Sequence, residues 1–103
     1  MANAFKNSTS TSVGTGATTV YTCPASTETT LIGLTLCNVT ASSTIEVDVT
    51  CAGAHVVKNY VIPAGDSVSA LEGKIVLEPT DTVVVTSDTA SSVDVIVSYL
   101  EIT

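Results

Sequence analysis

The segment Ile45–Cys51 constrains the fold of this chain more than any other, because its side chains alternate strictly between apolar and polar. One side of the alternation is apolar throughout, and the other presents Glu46, Asp48 and Thr50. This period-two pattern predicts a β-strand with one buried face and one solvated face, since successive side chains of a strand point to opposite sides. A slip of one residue would bury both carboxylates, so the register is well determined.

Similar short segments fill the rest of the chain, separated by turn signals, most of which contain Pro, Gly or Asp, and by an Ala-Ser-Ser turn at residues 41–43. The chain is rich in Thr and Val, which suit a pleated sheet better than a helix, and no segment shows helical periodicity. The predicted strands comprise residues 18–23, 30–38, 45–51, 55–62, 67–71, 74–77, 82–87 and 92–102.

Three of these segments allow more specific predictions. Residues 45–51 and 55–62 are joined by a tight Gly-containing connection, which predicts a hairpin. Residues 30–38 place Ile32 with Leu34 and Leu36 on one face, and the opposite face contains Leu31. We therefore expect a central strand that is covered on both sides. Residues 92–102 form the longest alternating segment, which also favours a central position.

Strands spaced about eight to twelve residues apart are typical of a sandwich or barrel. We predict an all-β fold: a single antiparallel β-sandwich of about eight strands, either jelly-roll or immunoglobulin-like. A length of 103 residues suits one domain. Residues 1–16 are predicted to be a polar N-terminal arm or edge strand, and residues 17–103 the β-sandwich domain.

The charge balance argues against two classes of partner. The net charge is −7, and the three lysines, Lys6, Lys58 and Lys74, are dispersed. Binding to nucleic acid or to an anionic membrane requires clustered cations, so we expect neither partner. The N-terminus lacks the features of a signal peptide, and no apolar run approaches the roughly 20 residues that span a bilayer. We expect synthesis in a cytoplasm.

Catalytic residues are not evident in the sequence. His55 is the single imidazole, and its position at a hairpin start predicts a solvent-facing turn residue. Glu46 and Asp48 would lie roughly 7 Å apart on one strand face, near the spacing of glycosidase carboxylates. A glycosidase also needs aromatic platforms, which are scarce here, so a solvated strand face is the better interpretation. We predict that the protein is not an enzyme and has no cofactor.

Metal sites are also not indicated. The cysteines, odd in number, are Cys23, Cys37 and Cys51. We expect them to be free, with Cys37 and Cys51 packed as small hydrophobic residues. Turn carboxylates that could hold calcium are Asp66, Glu72, Glu78 and Asp81. They lack the spacing of a calcium loop, and turns favour Asp for its own hydrogen bonds. The glycosylation sequons at Asn7 and Asn38 are interpreted as accidental.

The first segment suggests an interaction strand. Residues 4–13 have no charge beyond Lys6, and an unprotected edge invites pairing with another chain. Such a segment could lie across a neighbouring subunit and add backbone hydrogen bonds, with Phe5 as its apolar anchor. The alternative is a first strand that pairs within its own domain. The predicted interaction residues are Phe5, Lys6, Ser8, Ser10 and Ser12.

Several stretches resemble small virion structural proteins of tailed bacteriophages, particularly of the marine and cyanobacterial type. The similarity covers nearly the whole chain and is strongest in VYTCPA (residues 20–25), GLTLCN (33–38), EGKIVLEPTD (72–81) and the terminal ASSVDVIVSYLEIT. Relatives often have a longer insertion after the VDV strand, where this chain has only residues 51–59.

The resemblance implies a structural component of the virion, present in many copies. The first choice it suggests is a capsid decoration (cement) protein that stabilises the head by binding the major capsid protein, as a homo-oligomer, with a trimer favoured. One alternative is a tail, neck or baseplate accessory protein. Another is a host-surface glycan-binding module, which would use Tyr21, Tyr60 or Tyr99 for sugar stacking.

Overall fold

Alternating β-branched and polar residues produce strands throughout the chain. The computed structural model describes residues 3–71 and 73–103, and in that part it contains strands and no helix. The all-β prediction is confirmed. The strands are β1 (Asn3–Val13), β2 (Thr18–Thr22), β3 (Glu28–Asn38), β4 (Ile45–Cys51), β5 (Ala54–Ile62), β6 (Ser67–Ser69), β7 (Ile75–Leu77), β8 (Thr82–Ser87) and β9 (Val93–Ile102).

Two antiparallel sheets pack face to face, which confirms the predicted β-sandwich. The first sheet has the order β1-β9-β3-β6, with β7 also paired to β3, and the second has the order β2-β8-β4-β5. The consecutive strands β1 and β2 therefore lie in different sheets, whereas an immunoglobulin-like sandwich pairs its first two strands. Apart from the additional β7, the observed order is that of a jelly roll.

The core consists of the inward side chains of both sheets. The register predicted for β4 is confirmed: Ile45, Val47 and Val49 are fully buried, and Glu46 is exposed. Burial of each such side chain contributes about 1.5–3 kcal/mol to the free energy of folding. The largest fully buried side chains are Leu31, Leu34, Leu36, Ile45, Ile62, Leu77, Val47, Val49, Val83, Val85, Val93 and Val97.

The facing predicted for β3 is wrong at its start. Leu31 is fully buried, and Ile32, predicted to share the face of Leu34, is 45% exposed. The cause is a register shift against β9 between Leu31 and Gly33, where one extra residue reverses the alternation. The prediction that β3 is covered on both sides is also wrong, because Thr35 on its outer face is exposed.

Other predictions about strand position are confirmed. The β4–β5 hairpin forms, and β9 lies centrally between β1 and β3. His55 is exposed at the start of β5. Strand β6 ends at Ser69, two residues earlier than predicted, although the Ala70 amide still donates to the Leu34 carbonyl at 2.8 Å.

Asn38, which belongs to a glycosylation sequon, is a structural residue. Its side chain is fully buried, and Nδ2 donates to the carbonyls of Ser43 and Ile62, each at 2.8 Å. Its Oδ1 accepts from the amide of Thr40 at 2.9 Å. Since the amide group holds the turn that precedes β4, it is not available to a glycan. The interpretation of this sequon as accidental agrees with the geometry.

The turn carboxylates and the cysteines also have local roles. Asp66 and Asp81 accept backbone amides of their own turns at 2.9 Å, as turn chemistry favours. Glu72, which was considered with them as a calcium ligand, lies outside the described residues. Cys51 is buried, which raises the pKa of its thiol to about 11, and Cys37 is half-buried.

No group of three or more His, Cys, Asp or Glu side chains suited to a metal ion occurs within residues 3–71 and 73–103. The same residues contain no helix whose length and hydropathy would let it cross a membrane.

Candidate interaction surface at strand β1

Strand β1 is the edge of the first sheet. It pairs antiparallel with β9 from Asn3 opposite Ile102 to Ser10 opposite Val95, and the register shifts only before Val13. Within the described residues, no strand pairs with the other edge of β1. The N-terminal segment is thus an edge strand of its own sheet, and its outer backbone groups face away from the domain.

The five predicted interaction residues divide between the two faces of β1. Phe5 lies opposite Leu100 on the outer face and is 76% exposed. Lys6, Ser8 and Ser10 point to the inner face, since their partners on β9 are buried core residues. Ser12 lies at the register shift with φ of 53°, and its amide donates to Asp94 Oδ1 at 2.8 Å.

Lys6 belongs to a polar network that attaches β1 to the sandwich. Its Nζ donates to Glu101 Oε1 at 2.8 Å, and the Tyr21 hydroxyl donates to Glu101 Oε2 at 2.6 Å. The hydroxyls of Tyr21 and Thr29 lie 2.8 Å apart. Because a hydroxyl has one proton to donate, Thr29 is the donor in that contact. The bonds from Lys6 and Tyr21 to the Glu101 carboxylate are charge-assisted, and such bonds are about twice as strong as bonds between neutral groups.

The electrostatics of the network follow from these contacts. Hydrogen bonds from Lys6 and then from Tyr21 lower the pKa of Glu101 below its ordinary value, although burial opposes the shift. The same carboxylate raises the pKa of Lys6. Burial raises the pKa of Tyr21, and the hydrogen bond to Glu101 raises it further. The carboxylate is therefore held in its charged form although only 7% of Glu101 is exposed.

A second contact fastens the middle of β1. The Ser8 and Tyr99 hydroxyl oxygens are 2.8 Å apart, and the Tyr99 ring packs on Tyr21 with centroids 4.1 Å apart. Sequence reasoning missed this network. One signal was present in the sequence. The alternation that places Tyr99 on the buried face of β9 continues to Glu101, so a carboxylate is expected on that face.

Apolar residues extend from Phe5 across the outer face of the first sheet. The register aligns Phe5, Leu100, Thr30 and Val76 in one row across four strands. Phe5 and Val76 are 76% and 63% exposed. Between the row of Glu28 and the row of Asp94, the described strand positions of this face include no charged residue. The stretch of the outer face between these two rows is therefore uncharged, in a chain whose net charge is −7.

The residues considered for catalysis remain apart from this surface. Glu46 and Asp48 lie on the outer side of β4, in the second sheet. Asp48 Oδ1 accepts the Asn59 amide at 2.6 Å, which fixes a bulge in β5 where Asn59 has φ of 51°. Asp48 thus has a structural role in the β4–β5 hairpin.

Comparisons with known proteins find a likeness among solved structures. No protein-family model matches the chain, and no curated protein matches it. Among solved structures, the chain is similar to a protein of Bacillus endospore appendages, described as a novel family of disulfide-linked pili, with a TM-score of 0.47 and 16% identity. The match covers 99% of this chain and 85% of the other. At that TM-score, the likeness supports no conclusion about function.

Proposed function

We propose that this protein is a non-enzymatic structural component of a tailed-phage virion. Within the virion, its proposed role is that of a capsid decoration protein that stabilises the head by binding the major capsid protein. The sequence resemblance over nearly the whole chain supports the virion assignment. The observation on which the contact mechanism rests is the unprotected outer edge of β1.

Natural proteins protect long sheet edges with bulges, prolines, charged side chains on the edge, inward-pointing charges or covering loops. Residues 3–10 pair with β9 without a bulge, contain no proline, and have one charged side chain, Lys6, which Glu101 neutralises. Eight residues of strand span about 26 Å and present alternate unpaired amides and carbonyls to a neighbour. Such an edge suits pairing with a subunit of the surrounding particle.

Decoration would stabilise a head through mass action. A protein that binds the assembled shell, and not the free subunits, lowers the free energy of the assembled state alone. Many symmetric copies let a modest contact for each subunit sum to a large effect on the particle. A rigid β-sandwich suits this role because it loses little conformational entropy on binding.

Two alternatives differ in how well the structure fits them. A tail, neck or baseplate accessory protein would use the same strand edge. A glycan-binding module is less well supported, because Tyr21 and Tyr99 are 7% and 5% exposed. Tyr60, 38% exposed, is the one tyrosine in the described residues that could stack on a sugar.

The test combines particle composition with a matched pair of variants. Asn7→Lys places an edge-protecting charge on the exposed outer face of β1, and Ser42→Lys places the same charge in an exposed loop. We expect high copy number in purified particles, lower occupancy and weaker heads for Asn7→Lys, and no change for Ser42→Lys. Absence from particles would refute the virion role. Low copy number with stable heads in a deletion strain would favour the tail alternative over decoration.

A further inference from the structure

Most of strand β1 contributes little to the hydrophobic core. None of residues 3–10 is buried, and the one buried side chain of the strand is Val13, which lies beyond the register shift. Residues 3–10 are held instead by backbone pairing with β9 and by the side-chain contacts of Lys6 and Ser8. This segment can therefore leave the domain without withdrawing a buried apolar side chain from the core.

The place that residues 3–10 occupy cannot stay empty. Without them, the edge of β9 from Val95 to Ile102 would lose its backbone partner. The Glu101 carboxylate, on a residue that is 7% exposed, would also lose the Lys6 ammonium group. Because an unpaired charge in a largely buried site is costly, a strand that leaves β9 has to be replaced by one with the same inner side chains.

A second copy of this chain carries that replacement. The fit is visible in the structure, because Lys6 Nζ lies 2.8 Å from Glu101 Oε1 and the hydroxyl oxygens of Ser8 and Tyr99 are 2.8 Å apart. The same segment of another molecule would make each of these contacts unchanged. Each incoming lysine would neutralise the glutamate that the departing lysine leaves, so the charge balance around Glu101 is kept.

The register shift in β1 provides a hinge for such an exchange. Between Ser10 and Val13, β1 has one residue more than the β9 positions that it faces. Ser12, within this interval, has φ of 53°, a left-handed conformation that disfavours a residue with a side chain about tenfold. An extended hinge relieves that strain. Beyond the hinge the chain is fixed, since the Val13 carbonyl accepts the Ser92 amide at 3.0 Å.

We propose that residues 3–10 exchange between copies, so that β1 of one molecule pairs with β9 of another. This exchange does not depend on the proposed function. Reciprocal exchange gives a two-fold dimer, and exchange around a ring gives a larger closed assembly such as a trimer. A short link gives the chain's own strand an effective concentration on the order of millimolar, so exchange needs a high local concentration of copies, and strain at Ser12 lowers that requirement.

The first experiment asks which molecule provides the strand beside β9. Asn7 lies opposite Ser98 on the outer face of the sheet. In a Cys37→Ser background, one full-length chain carries Asn7→Cys and another carries Ser98→Cys. The two are unfolded in urea and refolded together under reducing conditions at about 1 mM, and are then oxidised. We expect disulfide-linked heterodimers in large excess over either homodimer.

Two controls make this result decisive. One chain with both Asn7→Cys and Ser98→Cys, refolded at high dilution, should form an intrachain disulfide, which shows that the two positions can bond. Exchanging Ser98→Cys for Ser42→Cys, in an exposed loop, should remove the excess of heterodimer. The proposal is refuted if the heterodimer does not exceed the Ser42→Cys control. Predominant Asn7→Cys homodimers would refute it as well, because they indicate two β1 strands paired edge to edge.

The second experiment tests the hinge in the otherwise unaltered protein. Ser12→Gly keeps the amide that donates to Asp94 and removes the left-handed penalty from the closed chain. In sedimentation velocity, Ser12→Gly should associate about 10- to 100-fold more weakly than wild type, because each reciprocal dimer contains two hinges. Ser26→Gly is the matched control, since Ser26 has φ of 59° in the turn between β2 and β3, and it should associate as wild type does. Equal association of Ser12→Gly and wild type, or a monomeric wild type at about 1 mM, would overturn the proposal.

Discussion

Replacing Tyr21 with Phe removes one hydroxyl from the network that holds β1 to the sandwich. Tyr21 is 7% exposed, and its hydroxyl donates to the Glu101 carboxylate at 2.6 Å. The substitution leaves the ring and its packing on Tyr99 unchanged. A hydrogen bond to a charged group contributes about 1.5–3 kcal/mol, so Tyr21→Phe should lower the free energy of unfolding by that amount at neutral pH.

Two further tyrosines provide a graded control. Tyr99→Phe removes a neutral hydrogen bond to Ser8, which predicts a loss of about 0.5–1.5 kcal/mol. Tyr60→Phe changes a hydroxyl on a side chain that is 38% exposed, which predicts a change within about 0.5 kcal/mol. The expected order of destabilisation is therefore Tyr21→Phe, then Tyr99→Phe, then Tyr60→Phe.

The loss caused by Tyr21→Phe should also depend on pH. The folded-state pKa of Glu101 is lowered from its ordinary value of 4.5 by the bonds from Lys6 and Tyr21. A carboxylate with a lowered pKa contributes stability above its unfolded pKa and loses it as the pH falls through the folded value. The difference between wild type and Tyr21→Phe should therefore be full at neutral pH and shrink as the pH falls below 4.5.

Urea unfolding followed by far-ultraviolet circular dichroism measures these differences, with an unchanged m-value as the check that only stability has changed. If Tyr21→Phe and Tyr60→Phe agree within about 0.5 kcal/mol, the network does not stabilise the fold. If the Tyr21→Phe deficit persists undiminished in acid, the bond to the charged carboxylate is not its cause.

Three other predictions concern the core, the β4–β5 hairpin and the thiols. Val47→Asp should abolish the β-sheet dichroism, because it buries an unpaired charge at a fully buried site, and a folded Val47→Asp protein would contradict the assigned core. Asp48→Ala, one position away, should cost only about 1 kcal/mol through its lost bond to the Asn59 amide, as urea unfolding can show. A thiol reagent should label Cys37 in the native protein and the two buried cysteines only after denaturation; equal labelling rates in the native state would disprove this.

The sequence predicts the core best where one face of a strand is polar. In β4, Glu46 and Asp48 exclude the opposite register, so the buried face could be assigned directly. In β3 both faces are apolar around Leu31 and Ile32, and the pattern cannot reveal where an extra residue enters. The bulge depends on the pairing with β9, which is a property of the assembled sheet.

The candidate site was predictable only in part for a related reason. Phe5 could be singled out because it is the one Phe, in a polar segment. The partner of Lys6 could not be predicted, since Glu101 lies 95 residues away in sequence. The two side chains meet only because β1 pairs with β9. A local pattern shows that Glu101 has the core register, but the topology decides which cation neutralises it.

The exposed edges of the sandwich differ in how they are protected, and this difference bears on where a partner binds. Strand β5 is bulged at Asn59, β6 and β7 have three residues each, and β2 is short and irregular against β8. An inward charge such as Lys6 also discourages edge pairing when it is free. Here Glu101 neutralises that charge within the chain, so a neighbour that pairs with β1 does not have to desolvate an unpaired ammonium group. The ion pair therefore both fastens β1 to its own sheet and leaves its outer edge open to a partner.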